Sequence, residues 1–413
     1  MKFTKEEKNW ILYDIGNSAF TMLMATIMPI YFNYLAESGG LTEVEYMAYW
    51  GYTASIATLV VAILGPVCGS IADYKGFKKT VFGVSLAIGA VGCISLGFAK
   101  HWLLFLFILL IAKVGYSSSL IFYDAMLTDV TTEENMDMVS SLGYALGYIG
   151  SCIPFVACLV IVLGADAFGL TMGTAMTIAF LITALWWIFL SFPLMKTYQQ
   201  KHYVERQAGV VTESFKRLGR TLMNVRKEKK TFFFLLAFFF YIDGVYTIID
   251  MATAYGSALG LDTTGLLIAL LVTQIVAFPF AILFGRLAKK YSTDQLISVC
   301  IIAYFGIAIF AYFLENQVQF FTLAVLVGMF QGGIQALSRS YFTKIIPPQK
   351  AGEYFGLMDI CGKGASFLGT AVVSGVSQIT GSLNKGVGII AVFFVIGIIF
   401  FRMSVKAPNC EQS

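Results

Sequence analysis

Apolar residues in this chain come in long runs broken by short polar stretches, without the strict alternation of a half-buried strand. A helix rises about 1.5 Å per residue and needs about 20 apolar residues to cross the hydrocarbon of a bilayer. Twelve runs reach that length, at roughly 10–36, 46–72, 79–99, 102–128, 138–164, 169–193, 231–257, 264–288, 295–314, 317–345, 352–380 and 385–404. The pattern predicts an all-α membrane protein of twelve transmembrane helices. The longest polar stretch, about Lys196 to Lys230, divides the runs six and six. The expected organisation is an N-terminal six-helix half over 1–193, a cytoplasmic linker over 194–230 and a C-terminal six-helix half over 231–413. Within the linker, Phe215, Leu218, Leu222 and Val225 recur at helical intervals among basic residues. That spacing fits an amphipathic helix on an anionic membrane surface, with a plain tether as the alternative.

Composition agrees. Of 413 residues, 58% are hydrophobic and only 13% charged, against about 25% charged in a soluble domain. The net charge of +4 does not point to nucleic acid, because the basic residues sit in clusters between apolar runs rather than on one soluble face. They report topology instead. Lys2, Lys5, Lys8, Lys75, Lys78, Lys79, the linker, Arg286, Lys289, Lys290, Lys344, Lys350, Arg402 and Lys406 fall on one side. The other side holds Lys100 and Lys385 against Glu37, Glu43, Glu45, Asp166, Asp262 and Glu315. The positive-inside rule places both termini in the cytoplasm. Short loops and a Lys-rich start favour the cell membrane over a vacuole, and the first run leads straight into a full-length span, so no cleavable leader is expected.

Candidate chemistry is sparse. The seven cysteines lie within apolar runs except Cys410, with no disulfide or metal spacing. His101 and His202 are both in loops, so neither a histidine metal site nor a nucleophile–base pair forms inside the bilayer. No phosphate-binding Gly-x-x-x-x-Gly-Lys-Ser/Thr loop occurs. An enzyme, a cofactor and a metal are therefore not expected.

Ionised residues well inside the runs carry more information. Each costs about 2.5–3.5 kcal/mol near a helix centre, so such residues face a bundle interior or a wet cavity. They are Asp14, Lys113, Asp124, Asp243, Asp250, Arg339, Asp359 and Lys363, all in runs one, four, seven, ten and eleven. Asp359 and Lys363, four apart, share a helix face and can simply neutralise each other. Asp243 and Asp250, seven apart, also share a face, about 10 Å apart along the axis. The halves show traces of a repeat. Sliding them by 215 residues sets Asp124 opposite Arg339, and Asp14 corresponds in order to Asp243.

Two sets of residues carry a resemblance. Gly69, Asp73, Gly76, Lys78 and Lys79 follow the second run with the spacing of the signature loop of the major facilitator superfamily. Tyr13-Asp14-Ile-Gly16-Asn17-Ser18-Ala19, Tyr241-Ile-Asp243-Gly244, Gly332-Gly333-Ile-Gln335-Ala-Leu-Ser338-Arg339-Ser340, Glu353-Tyr-Phe-Gly356 and Gly362-Lys363 resemble its vacuole-effluxer-like branch, which holds fungal vacuolar amino-acid effluxers and bacterial relatives. A weaker likeness is to the glycoside, pentoside and hexuronide cation symporters and related lysolipid carriers, which place a lysine where Lys363 stands. The resemblance implies that runs one, four, seven and ten line a central cavity and three, six, nine and twelve lie outside. The charge distribution above agrees with that.

The expected function is secondary active transport by alternating access of a small polar or zwitterionic solute such as an amino acid. A cation-coupled carrier of sugars or lysolipids and a non-transporting receptor are the alternatives. Asn17, Lys113, Tyr116, Gln335, Arg339 and Lys363 are candidates for substrate binding, the cations for an anionic group. Asp14, Asp243, Asp250 and Asp359 are candidates for proton coupling, with fixed ion pairs as the alternative. Gly69, Asp73, Gly76, Lys78, Lys79 and Asp124 are candidates for a cytoplasmic gate, to which Arg339 can equally belong. The expected partners are the substrate, protons (sodium as the alternative) and the lipid bilayer. The chain is expected to be a monomer.

Overall fold

The computed structural model describes residues 3–205 and 210–408; Cys410 and the side chain of Leu222 fall outside what is described. The α-helices are α1 (Lys5–Ser38), α2 (Glu43–Ala72), α3 (Phe77–Leu96), α4 (Trp102–Ala125), α5 (Leu127–Val130), α6 (Glu133–Leu163), α7 (Met172–Thr197), α8 (Val210–Asn224), α9 (Lys229–Ala258), α10 (Thr263–Leu287), α11 (Thr293–Tyr312), α12 (Gln317–Ile345), α13 (Ala351–Thr380), α14 (Leu383–Gly388) and α15 (Ile390–Lys406). Among the described residues there is no strand, only a bridge between Tyr74 and Val204. Among the described residues, eleven helical stretches are long and apolar enough to cross a membrane. The expected eleventh run falls on α13, a helix of 30 residues that carries Glu353, Asp359 and Lys363. The expected last run is broken at Ile389 between α14 and α15.

Local chemistry sets the ends of these helices. Thr4 and Thr42 accept the backbone N–H of Glu7 and Glu45, whose carboxylates accept the threonine N–H in return. This reciprocal cap satisfies donors that the first turn leaves unpaired. Gly76 precedes α3 at φ 79°, a left-handed conformation open to glycine without steric penalty, and it reverses the chain between α2 and α3. The same device closes α1 and α9. Gly40 and Gly260 have φ of 77° and 76°, each followed by a leucine and then a side-chain cap, Thr42 or Asp262. Tyr13 and Ser119 share a 2.7 Å hydrogen bond, and Tyr241 and Ser338 share another of 2.7 Å. These matched contacts are the plainest sign of a repeat.

Packing forms an N-terminal group, α1–α7, and a C-terminal group, α9–α15. The groups meet where α2 packs on α13 and α6 on α10 and α12. At the first contact the backbones touch: a Cβ on Gly69 would lie 2.1 Å from the Gly352 carbonyl oxygen. Large apolar side chains such as Leu163, Phe189 and Val318 are exposed at 73%, 78% and 75% on the outside. A bilayer covers such a surface, since lipid tails are as apolar as the side chains. The start of the polar stretch after α7 is bonded to the N-terminal group. Val204 N–H donates to the Asp73 carbonyl at 2.8 Å, and Gly76 N–H donates to Gln200 Oε1 at 2.9 Å. In α8, Phe215 and Met223 are exposed while Ser214 and Thr221 are buried.

Candidate functional site

Arg339 of α12 leaves its own group and enters a box built by α1, α4 and α6. Its Nη2 is 3.2 Å from Asp14 Oδ2 and its Nη1 3.0 Å from Asp124 Oδ1. Nε donates to Ser140 Oγ at 2.9 Å, and Nη2 donates to the Ser140 carbonyl at 3.0 Å. The guanidinium carbon stands 4.6 Å from the ring centre of Trp10, 4.3 Å from Tyr144 and 5.5 Å from Tyr123, all within cation–π range. Two carboxylates, one serine and three rings thus hold a single buried cation.

The groups are tied at further points toward the end of the bundle that carries the linker. Asp73 accepts the N–H of Gly352 at 2.8 Å and of Glu353 at 3.0 Å. Its charge therefore sits against the positive end of α13. Ser340 donates to Asp137 at 2.6 Å, and Thr293 and Lys344 bond the same carboxylate. Ser140 donates to the Ala336 carbonyl at 2.8 Å. Gly69 provides the close approach, Gly76 the turn, and Lys79 is half-buried on the first turn of α3. The partner of Lys78 is Asp129, at 3.1 Å, both side chains having no exposure. Asp129 also accepts the Tyr198 hydroxyl and the N–H groups of Lys201 and His202, so one carboxylate fastens the linker to α3.

A second charged cluster lies nearer the middle of the bundle. Lys363 and Asp359 form an ion pair of 2.6 Å, 25% and 18% exposed. Lys113, on the other group, is close enough for the charges of Lys363 and Asp250 to act on it. Asp250 is exposed on α9. Asp243 stands apart. It is fully buried, and its Oδ1 accepts Thr247 Oγ1–H at 3.2 Å and Gly369 N–H at 3.0 Å. Its Oδ2 has no hydrogen-bond partner among the described residues. The neutral candidates are mostly engaged by their own half. Asn17 donates to the Tyr13 carbonyl and to Asp14 Oδ1, and Tyr116 shares a hydrogen bond with Thr21. Gln335 accepts from the Tyr148 hydroxyl of the other group at 3.5 Å.

Sequence reasoning missed several of these groups. Trp10, Tyr123 and Tyr144 do not stand out in a chain that is 15% aromatic. Asp129 and Asp137 lie outside the apolar runs, where an acid ordinarily reads as solvated. Their common signal is adjacency to a run boundary that faces the basic side.

The helical bundle defines the class, that of the major facilitator fold. FucP, a major facilitator superfamily transporter solved in the outward conformation, superposes with a TM-score of 0.71 at 14% identity, covering 98% of each chain. The human organic anion transporter MFSD10 superposes with a TM-score of 0.70 at 12% identity, covering 96% of this chain and 99% of its own. Within that class, the chain belongs to the Vacuole effluxer Atg22 like family, matched over residues 3–411. It is 43% identical to the uncharacterized MFS-type transporter YxiO of Bacillus subtilis (strain 168), over 100% of this chain and 97% of that protein. Autophagy-related protein 22-1 of Neosartorya fischeri is 23% identical over 64% of this chain, and the match spans about half, 48%, of that protein's length. The protein is a multi-pass membrane transporter, not an enzyme.

Proposed function

We propose that the chain is a proton-coupled secondary carrier of a small zwitterionic solute such as an amino acid. It works by rocking residues 1–193 against 231–413 across a linker at 194–230. With twelve spans and both termini in the cytoplasm, the linker end is the cytoplasmic end in this reading, and the contacts of Asp73, Asp137 and Arg339 there support a state closed on the inside. The observation that carries the substrate reading is the mixed-sign cluster of Lys113, Asp250, Asp359 and Lys363, drawn from both groups. A zwitterion answers both signs at once, its carboxylate to Lys363 and its ammonium to Asp359 or Asp250. Asp243 is the proton site this reading favours. A buried carboxyl with only neutral partners and one unpaired oxygen is better accommodated with a proton than as a bare anion.

Transient currents on a solid-supported membrane carrying the reconstituted protein test this. A pool of amino acids should give a current, larger with an inward proton gradient, and pools of sugars or lysolipids should not. Lys363→Ala should abolish the current while keeping the unfolding temperature of the parent. A full current in Lys363→Ala, or silence from the amino-acid pool, overturns the assignment.

A further inference from the structure

We propose that the box now filled by Arg339 is a second binding site, one that takes the guanidinium or ammonium end of an organic cation when the two groups of helices part at the linker end. The proposal rests on alternating access, but its site is distinct from the Lys363 cluster. Trp10, Asp14, Tyr123, Asp124, Ser140 and Tyr144 all belong to the N-terminal group, whereas the cation comes from the C-terminal group. Any motion that separates the groups there withdraws Arg339 and leaves the box behind.

Much of the box is held by contacts that do not involve its occupant. Trp10 stacks on Tyr123 at 4.3 Å between ring centres, 15° from parallel, and its indole N–H donates to the Tyr123 carbonyl at 3.0 Å. Asn17 donates to Asp14 Oδ1 at 3.3 Å. Gly143 leaves room for the carboxylate, since a Cβ there would lie 2.5 Å from Asp14 Oδ2. None of these contacts uses Arg339. The emptied box is then a pre-set arrangement of aromatic faces and two acids, and two facing carboxylates in a desolvated site are unfavourable without a cation. The rings decide which cation. Flat, weakly hydrated guanidinium gains from three π-faces and forked hydrogen bonding, whereas a strongly hydrated sodium ion gains little from either. Asp124, with its side chain 27% exposed against 8% for Asp14, marks the more open wall. Arg339 acts as a tethered competitor, present at high effective concentration whenever the lock is closed. A bound organic cation therefore holds the linker end open, and closure expels it.

The test uses full-length Arg339→Ala in detergent with methylguanidinium chloride as probe and sodium chloride at equal ionic strength as control. The unfolding temperature should rise by several degrees with methylguanidinium at tens of millimolar, not with sodium, and the rise should vanish in Arg339→Ala/Trp10→Leu. Equal response to both salts, or a rise that survives loss of Trp10, overturns the proposal. Should Arg339→Ala not fold, the Arg339-bearing protein with Lys344→Cys serves. Methylguanidinium should speed maleimide labelling at position 344 severalfold over sodium, and an unchanged rate overturns the proposal. Neither readout needs transport, so a failed current from the amino-acid pool and a failed box are separate results.

Discussion

Asp14 and Asp243 occupy corresponding places in the order of the two sequence halves, each one or two residues after a tyrosine that bonds a serine of another helix in its own group. Their surroundings differ in kind. Asp14 meets a cation from the opposite group at 3.2 Å. Asp243 meets a hydroxyl of its own helix and an N–H of α13, and leaves one oxygen unpaired. Their places along the helices differ too, since Asp14 is about a third of the way along α1 and Asp243 midway along α9. Repetition of the fold thus does not repeat the role. An acid matched by a cation of the opposite group can fasten two bodies, and an acid with neutral partners and one unpaired oxygen is the one proposed to hold a proton.

Substitutions separate the two roles, and the largest expected effect is at Asp243. Asp243→Asn keeps shape and neutrality, so accumulation driven by a pH gradient should collapse to the level without a gradient, while solute exchange and the unfolding temperature stay near those of the parent. Unchanged proton dependence in counterflow assays would remove Asp243 as the coupling site. Asp14→Asn should act on stability instead. Breaking a buried pair costs about 3–5 kcal/mol, and with Asp124 still bonded to Arg339 a loss of about 3 kcal/mol is expected in thermal unfolding. Loss of coupling without loss of stability in Asp14→Asn would dissolve the contrast. Gly143→Ala is the mildest. Its methyl group would crowd Asp14 Oδ2 and lie 3.1 Å from Arg339 Nη2, and overpacking of this kind costs about 1–3 kcal/mol. A melting curve unchanged from the parent would show that the pair has slack.

The helices were legible because a bilayer imposes length and hydropathy together; each of the twelve expected runs overlaps helix, eleven helical stretches among the described residues are long and apolar enough to cross a membrane, and the last run is broken at Ile389. Interior charges were legible for the same reason, as exceptions that must have somewhere to go. Their pairing was not. Lys78 stands five residues from Asp73 and yet bonds Asp129, because the reversal at Gly76 sends α3 back beside α5 and the linker. Arg339 could be set opposite Asp124 by repeat alone, but nothing in the spacing announced that Asp14 and three rings complete its surroundings. Pairing across groups depends on helix rotation and depth, and those are fixed by close approaches such as Gly69 against Gly352 rather than by the run of apolar residues.

The place of Asp243 midway along a 30-residue helix also has an electrical meaning. With Asp243 as the proposed proton site, a proton reaching it from either side would cross about half of the membrane field, and a full elementary charge is worth about 2.3 kcal/mol per 100 mV. Occupancy of that carboxyl would then shift by about 1.2 kcal/mol, roughly sevenfold, for each 100 mV, with no change in the pH of either compartment. A carrier with its proton seat at that depth reads voltage as well as acidity.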